Sequence, residues 1–140
     1  MKKKILFFSL YFFPPIGGAE RSMDNYFRSL SGVYDIRVFC FLDQNGRRFK
    51  QDSIVKMPGY LVFQAAKDIK VSCESAIDKF KPDIIGTQLL SSDLFANVAH
   101  EKGVPCIYFL HGVYEDFCKN YLKDFCNTND VFLCSRERCD

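Results

Sequence analysis

The sequence predicts an α/β protein, a Rossmann-like three-layer sandwich with a mainly parallel sheet. Three observations predict this class: short apolar runs typical of buried strands, amphipathic stretches between them, and turn-forming residues at the joints. Strands and helices alternate along the chain, and this order favours parallel strands covered by helices on both faces of the sheet. A chain of 140 residues is long enough for one such domain with a sizeable core.

The N-terminal half begins with an apolar run at Lys4–Ser9, which we expect to be a buried strand. Ala19–Ser31 follows as an amphipathic helix that Gly32 ends. Asp35–Leu42 is rich in β-branched and aromatic residues and predicts the second strand. The polar segment Asp43–Arg48 contains an Asn-Gly pair, so it predicts a turn.

The C-terminal half continues the alternation. A short strand is expected at Ser53–Met57. Apolar residues recur at helical spacing over Tyr60–Phe80, which predicts one long helix ending before Pro82. The remaining expected elements are the strand Asp83–Gly86, a helix that begins at Ser91–Asp93 and runs through Lys102, the strand Cys106–Leu110, the helix Glu115–Phe125 and the strand Asp130–Cys134.

Composition narrows the class of protein. Hydrophobic residues make up 48% of the chain, which excludes general disorder, and a net charge of +2 gives no footprint for nucleic-acid binding. The seven cysteines form no Cys-x-x-Cys pair, and neither histidine has metal-ligand spacing to a cysteine. We therefore expect reduced thiols in a cytoplasmic protein, with no bound metal.

The N-terminus allows two interpretations. The basic residues Lys2–Lys4 before the apolar run Ile5–Phe13 resemble a secretory signal, but a first buried strand explains the same pattern and is favoured. No stretch reaches the roughly 20 apolar residues of a membrane helix. Basic clusters at Lys2–Lys4 and Arg47–Lys50 leave peripheral contact with the inner face of an anionic membrane as a hypothesis.

The most informative segment is Phe7–Arg21, with the sequence FFSLYFFPPIGGAER. Gly17 and Gly18 precede the first predicted helix and leave room for another molecule to approach the backbone. The start of a helix offers free N–H groups and a partial positive charge, which suit a phosphate or diphosphate. We therefore expect an open, electropositive cradle here. His111 follows a buried strand, and the carboxyl ends of parallel strands meet at one edge of the sheet.

Three further segments follow PPIGGAER at Pro14–Arg21 along the chain. They are KPDII at Lys81–Ile85, GVPCIYFLHG at Gly103–Gly112 and VFLCSRE at Val131–Glu137. In this order the four segments resemble the N-terminal domain of retaining glycosyltransferases with the GT-B fold, the large group-4 family. The resemblance covers essentially the whole chain.

The resemblance implies roles for individual residues. Gly17, Gly18 and Arg21 match the loop and helix start that lie against the donor diphosphate. His111 matches the histidine that faces the transferred sugar, and we assign it the catalytic role of hydrogen bonding as charge develops. Acceptor contacts are expected at three further rim residues, Glu20, Gln88 and Tyr114. Relatives often carry His or Asn where this chain has Gly86-Thr87-Gln88.

The resemblance also implies the partners. The expected reaction moves a sugar from a nucleotide-sugar donor to a saccharide or lipid-linked acceptor with retention, without a separate cofactor. The donor is held mainly by a C-terminal domain, for which residues up to Asp140 leave no room. We expect this chain to be the acceptor-side part of a longer enzyme and inactive alone.

Two other functions remain open. A dinucleotide-binding oxidoreductase domain would use the first βα turn and Asp43 near the end of the second strand, although G-x-G-x-x-G is absent. A non-catalytic binding module that works without a second domain is the third hypothesis. The sequence does not identify the donor sugar, the acceptor or the oligomeric state.

Overall fold

The computed structural model describes residues 2–88, 92–110 and 131–134. The strands are β1 (Lys3–Tyr11), β2 (Tyr34–Leu42), β3 (Ser53–Met57), β4 (Tyr60–Gln64), β5 (Ile84–Gln88), β6 (Cys106–Leu110) and β7 (Val131–Cys134). The helices within the described residues are α1 (Gly18–Leu30), α2 (Ile69–Phe80) and α3 (Ser92–Glu101).

The described strands form one sheet in the order β3-β4-β2-β1-β5-β6-β7. Every neighbouring pair is parallel except β3 and β4, which form an antiparallel hairpin. The apolar N-terminal run is therefore the middle strand, with β2 on one side and β5 on the other. Helices cover both faces of the sheet at this central strand, so side chains that point to either face are buried, which explains why the segment is continuously apolar.

Helices cover both faces of the sheet, so the predicted three-layer arrangement is present. On one face α1 packs Met23 and Phe27 against Phe7, Val38 and Val62. On the other face, residues of α2 and α3 pack against Phe8 of β1, Phe41 of β2 and Tyr108 of β6. The alternation of strand side chains between the two faces thus produces two cores.

One predicted element is wrong at its start. The long helix expected over Tyr60–Phe80 is two elements, because Tyr60–Gln64 forms β4 and the helix begins only at Ile69. Tyr60 and Val62 point into the α1 core with a period of two, and Asp68 caps the real helix by accepting from the Val71 N–H at 3.0 Å. Taken together, the apolar residues of β4 and of α2 happen to recur at helical spacing, which is why the sequence predicts a single helix.

The other predicted elements within the described residues are confirmed, with small shifts at their ends. The expected helix Glu115–Phe125 lies outside the described residues. No helix that the structure describes is long and apolar enough to span a membrane.

Candidate functional site

The candidate site lies where β1, β5 and β6 end. Phe8 pairs with Thr87, and Gln88 pairs with Phe109, so the ends of these parallel strands lie side by side. Parallel strands point their carboxyl ends to the same edge, and this is the edge at which open α/β sheets bind ligands.

The loop from β1 to α1 is held by its own hydrogen bonds. The Pro14 carbonyl accepts one from the Tyr11 hydroxyl and another from the Ile16 N–H at 2.9 Å. Gly17 then caps α1, and its carbonyl accepts from the Arg21 N–H at 3.0 Å. Phe12 anchors the start of the loop, because its ring is fully buried against Phe7 and Phe27.

Buried polar groups support this loop from below. The Gln88 side-chain amide donates to the Ser9 hydroxyl at 2.8 Å, and Ser9 donates to the Tyr11 carbonyl at 2.6 Å. The buried Cys40 thiol accepts from the backbone N–H groups of Phe12 and Phe13, although burial raises its pKa to about 12. The thiol is therefore neutral at physiological pH.

The paired glycines are not explained by their backbone or by packing. Gly17 has φ −80° and ψ 162°, and neither it nor Gly18 lies in the left-handed region that favours glycine. A Cβ on Gly18 would have no described atom within 4 Å, whereas one on Gly17 would lie 2.7 Å from the Glu20 carboxylate oxygen Oε1. Among the described residues, only a flexible side-chain end limits the space beside this turn.

The turn is not the open, electropositive cradle that the sequence predicts, because Glu20 lies over it. The Glu20 side chain folds back over Gly17, so a carboxylate lies beside the start of α1 where the sequence led us to expect a free, electropositive opening. Burial raises the pKa of this carboxyl, and a hydrogen bond from its own backbone N–H only partly opposes the effect. The pKa of Tyr11 is also raised, by burial and then by the Glu20 charge, so the two side chains are electrostatic neighbours.

Arg21 differs from its neighbour. Its side chain is exposed and makes no hydrogen bond or ion pair with any described residue. An exposed guanidinium without a described partner could pair with an incoming anion, and the donor-binding role of Arg21 stays a prediction.

Residues 16–137 match the family model of Glycosyltransferase Family 4. The chain belongs to this family. No curated protein matched the sequence. The crystal structure of MurG from Acinetobacter baumannii superposes with a TM-score of 0.59 at 14% identity, covering 95% of this chain and 41% of that one. At such low identity the likeness supports the fold alone, and it agrees with the predicted Rossmann-like α/β class. This family-4 chain spans about two fifths of the length of that MurG chain.

The structure of the family-4 chain brings some predicted site residues together. Gly17, Gly18, Glu20 and Arg21 form one turn at the carboxyl edge. Gln88 lies at the same edge but is buried, with its amide donated inward to Ser9. His111 and Tyr114 lie outside the described residues, so their roles stay predictions.

Sequence reasoning missed the supporting role of Ser9 and Cys40. Ser9 interrupts an apolar strand close to its end, and a polar residue at that position is the signal that could have identified it. Gly86, unlike Gly18, is required by packing against neighbouring rings. A Cβ there would lie 3.0 Å from Phe7 and 3.1 Å from Phe109, whose rings cover the strand.

Proposed function

We propose that this chain is the acceptor-side N-terminal domain of a retaining glycosyltransferase with the GT-B fold. The whole enzyme transfers a sugar from a nucleotide-sugar to a saccharide or lipid-linked acceptor in a cleft between this domain and a second one. Membership of the family supports sugar transfer in general terms. The observation that supports the position of the site is the turn at Gly17 and Gly18. Neither backbone conformation nor packing within the described residues requires glycine there, so room for a ligand is the remaining reason.

The turn suits the charge that sugar transfer develops. As the glycosidic bond to the donor breaks, negative charge grows on the diphosphate leaving group. The backbone N–H groups at the start of α1 and the exposed Arg21 guanidinium provide positive partners for that charge. Under this proposal the Glu20 side chain swings away when the diphosphate arrives.

Gly18 offers a direct test in the full-length enzyme. Gly18→Val places a branched side chain beside the turn, where no atom of the described residues lies within 4 Å of the Cβ position. We expect kcat/KM for the donor to fall about 100-fold, which corresponds to about 3 kcal/mol of lost transition-state stabilisation.

Gly32→Val is the matched control. Gly32 also has no described atom near its Cβ position and no positive φ, but it precedes β2 at the opposite edge of the sheet. Its variant should keep wild-type transfer. Equal activity of the two variants would remove Gly18 from the donor site.

His111 requires a separate measurement. We expect His111→Ala in the full-length enzyme to lower kcat with little change in the melting temperature, because its proposed hydrogen bond strengthens in the transition state. His100→Ala on α3 is the control histidine. Wild-type kcat in the His111 variant would contradict the catalytic assignment.

In the structure, Asp43, the acidic residue of the dinucleotide alternative, has a role within its own turn. The carboxyl of Asp43 accepts hydrogen bonds from the N–H groups of Arg47 at 3.0 Å and Asn45 at 2.9 Å, and these bonds, the one from Arg47 most, lower its pKa. Both bonds use Oδ1, and this role in the turn explains the presence of Asp43 without a ribose contact. Calorimetry with NADH decides the matter, because micromolar binding would restore this alternative.

A further inference from the structure

A second cavity lies away from the carboxyl-edge turn, on the other face of the sheet. It is a groove of about 460 Å³ between α2 and the outer strands β2, β4 and β3, here called the α2 groove. Because α1 covers these strands only on their opposite face, the groove exposes part of the sheet beside α2. Its volume lies within the range of roughly 300–1,000 Å³ that small-molecule sites occupy.

The floor and lips of the α2 groove are apolar. The rings of Phe39 and Phe63 stack at the floor, with centroids 4.6 Å apart and planes within 7° of each other. Ile54 on β3 and Val71 on α2 stand at its lips, with 58% and 56% of their surfaces exposed. Aliphatic side chains this exposed gain free energy when a ligand covers them.

Positive charge dominates the walls. Arg37, Lys67 and Lys79 line the groove, against one carboxylate, Asp52. Asp52 is already engaged, because one of its oxygens accepts from the Ala66 N–H at 2.8 Å. The groove therefore has a surplus of cationic groups.

Arg37 is the most specific of these cations. Its guanidinium carbon lies 4.3 Å from the centre of the Phe80 ring and 5.7 Å from that of Phe63, so the group is fixed by two aromatic faces. The guanidinium group itself forms no hydrogen bond or ion pair with any described residue. Stacking leaves the N–H donors in the guanidinium plane free to bind a planar anion.

We propose that the α2 groove binds a small amphipathic anion, with its apolar body on Phe39 and Phe63 and its carboxylate, sulfonate or phosphate on Arg37. Lys67 and Lys79 add attraction at longer range. This site is separate from the turn at Gly17 and Gly18, so its occupation does not depend on sugar transfer.

The test uses the 140-residue chain and 1-anilinonaphthalene-8-sulfonate, an aromatic sulfonate whose fluorescence rises in apolar sites. We expect saturable binding of one probe per chain, displaced by decanoate but not by uncharged decanol at the same concentration. Arg37→Gln should weaken binding about tenfold, as expected for one charge-assisted hydrogen bond. Arg47→Gln, in the exposed turn after β2, should leave binding unchanged.

Val71→Glu keeps the test decisive if Arg37→Gln disturbs the stacked rings. Val71 is exposed on α2, so its replacement leaves the fold intact while it adds a negative charge at the groove lip. We expect it to weaken binding at least as much. Unsaturable binding, equal displacement by decanol and decanoate, or unchanged affinity in Val71→Glu would each overturn the proposal. Binding only to phosphatidylglycerol vesicles would also overturn it, since it would indicate a surface contact.

Discussion

At the scale of single residues, the Glu20 carboxylate determines the charge beside the turn at the start of α1. The sequence marked this position as an acceptor contact, whereas the structure shows its carboxylate folded over Gly17. A negative charge at this place competes with a diphosphate for the same backbone N–H groups. The resemblance places Gly17 and Glu20 together at the start of α1. The direction of the Glu20 side chain depends on its packing, which the sequence does not show.

Glu20→Gln tests the competition in the full-length enzyme. We expect the donor KM to fall several-fold at neutral pH, because the variant removes the charge that opposes the diphosphate. The folded pKa of Glu20 is raised, so the wild-type donor KM should also fall as acid protonates this group, while the variant should lack that part of the pH profile.

Glu101→Gln serves as the control, because Glu101 lies at the far end of α3 and pairs loosely with Lys70 at 3.9 Å. A higher acceptor KM in Glu20→Gln with an unchanged donor KM would instead support the acceptor contact expected from the sequence.

At the scale of elements, a buried polar contact joins α1 to β4. Asp24 is buried on α1 and accepts from the Tyr60 hydroxyl at 2.6 Å and from Arg28 at 3.0 Å. The Tyr60 pKa is raised, first by burial and then by this bond, so the hydroxyl stays a donor. This contact depends on Tyr60 starting a strand, whereas the helical spacing of the apolar residues over Tyr60–Phe80 predicts a helix there. Local periodicity missed it because the deciding partner lies 36 residues away.

Removing one partner of this contact should destabilise the fold. Asp24→Ala leaves the buried Tyr60 hydroxyl unsatisfied, and we expect a loss of about 2–3 kcal/mol of unfolding free energy in urea. The double variant with Tyr60→Phe should lose less than the sum of the single changes, because neither polar group is then left alone.

Asp78→Ala is the control for a carboxylate in an exposed ion pair. Asp78 binds Lys102 at 3.0 Å with 61% of its side chain exposed, so its loss should cost under about 1 kcal/mol. An equal cost for Asp24→Ala and Asp78→Ala would contradict the structural role given to Asp24.

At the scale of the whole molecule, the sheet divides the interior into two cores, and buried cysteines lie in both. Cys40 belongs to the α1 core, and Cys73 and Cys106 belong to the core beneath α2 and α3. The alternation of strands and helices predicted this layering well. The same alternation does not predict the antiparallel hairpin of β3 and β4. This hairpin forms because the chain reverses in a short turn at Pro58-Gly59, where Gly59 has φ +91°.

These thiols should report global unfolding. Burial raises the pKa of both Cys40 and Cys73, so their reactive thiolate is scarce at pH 8. We expect peptide mass spectrometry to find Cys40, Cys73 and Cys106 protected from iodoacetamide in the native chain, and alkylated in urea at the rate of free cysteine. Rapid alkylation of Cys40 without denaturant would indicate that the loop above it opens locally.

The place of β1 in the middle of the sheet has a consequence for biosynthesis. Its second neighbour, β5, leaves the ribosome about 80 residues after β1, since Ile5 pairs with Ile84. Because synthesis proceeds at roughly 5–20 residues per second, β1 spends several seconds with one edge unpaired and its phenylalanine side chains exposed to solvent. The nascent polypeptide is thus a natural client for chaperones during that interval, and slowing translation between the two strands should lower its soluble yield.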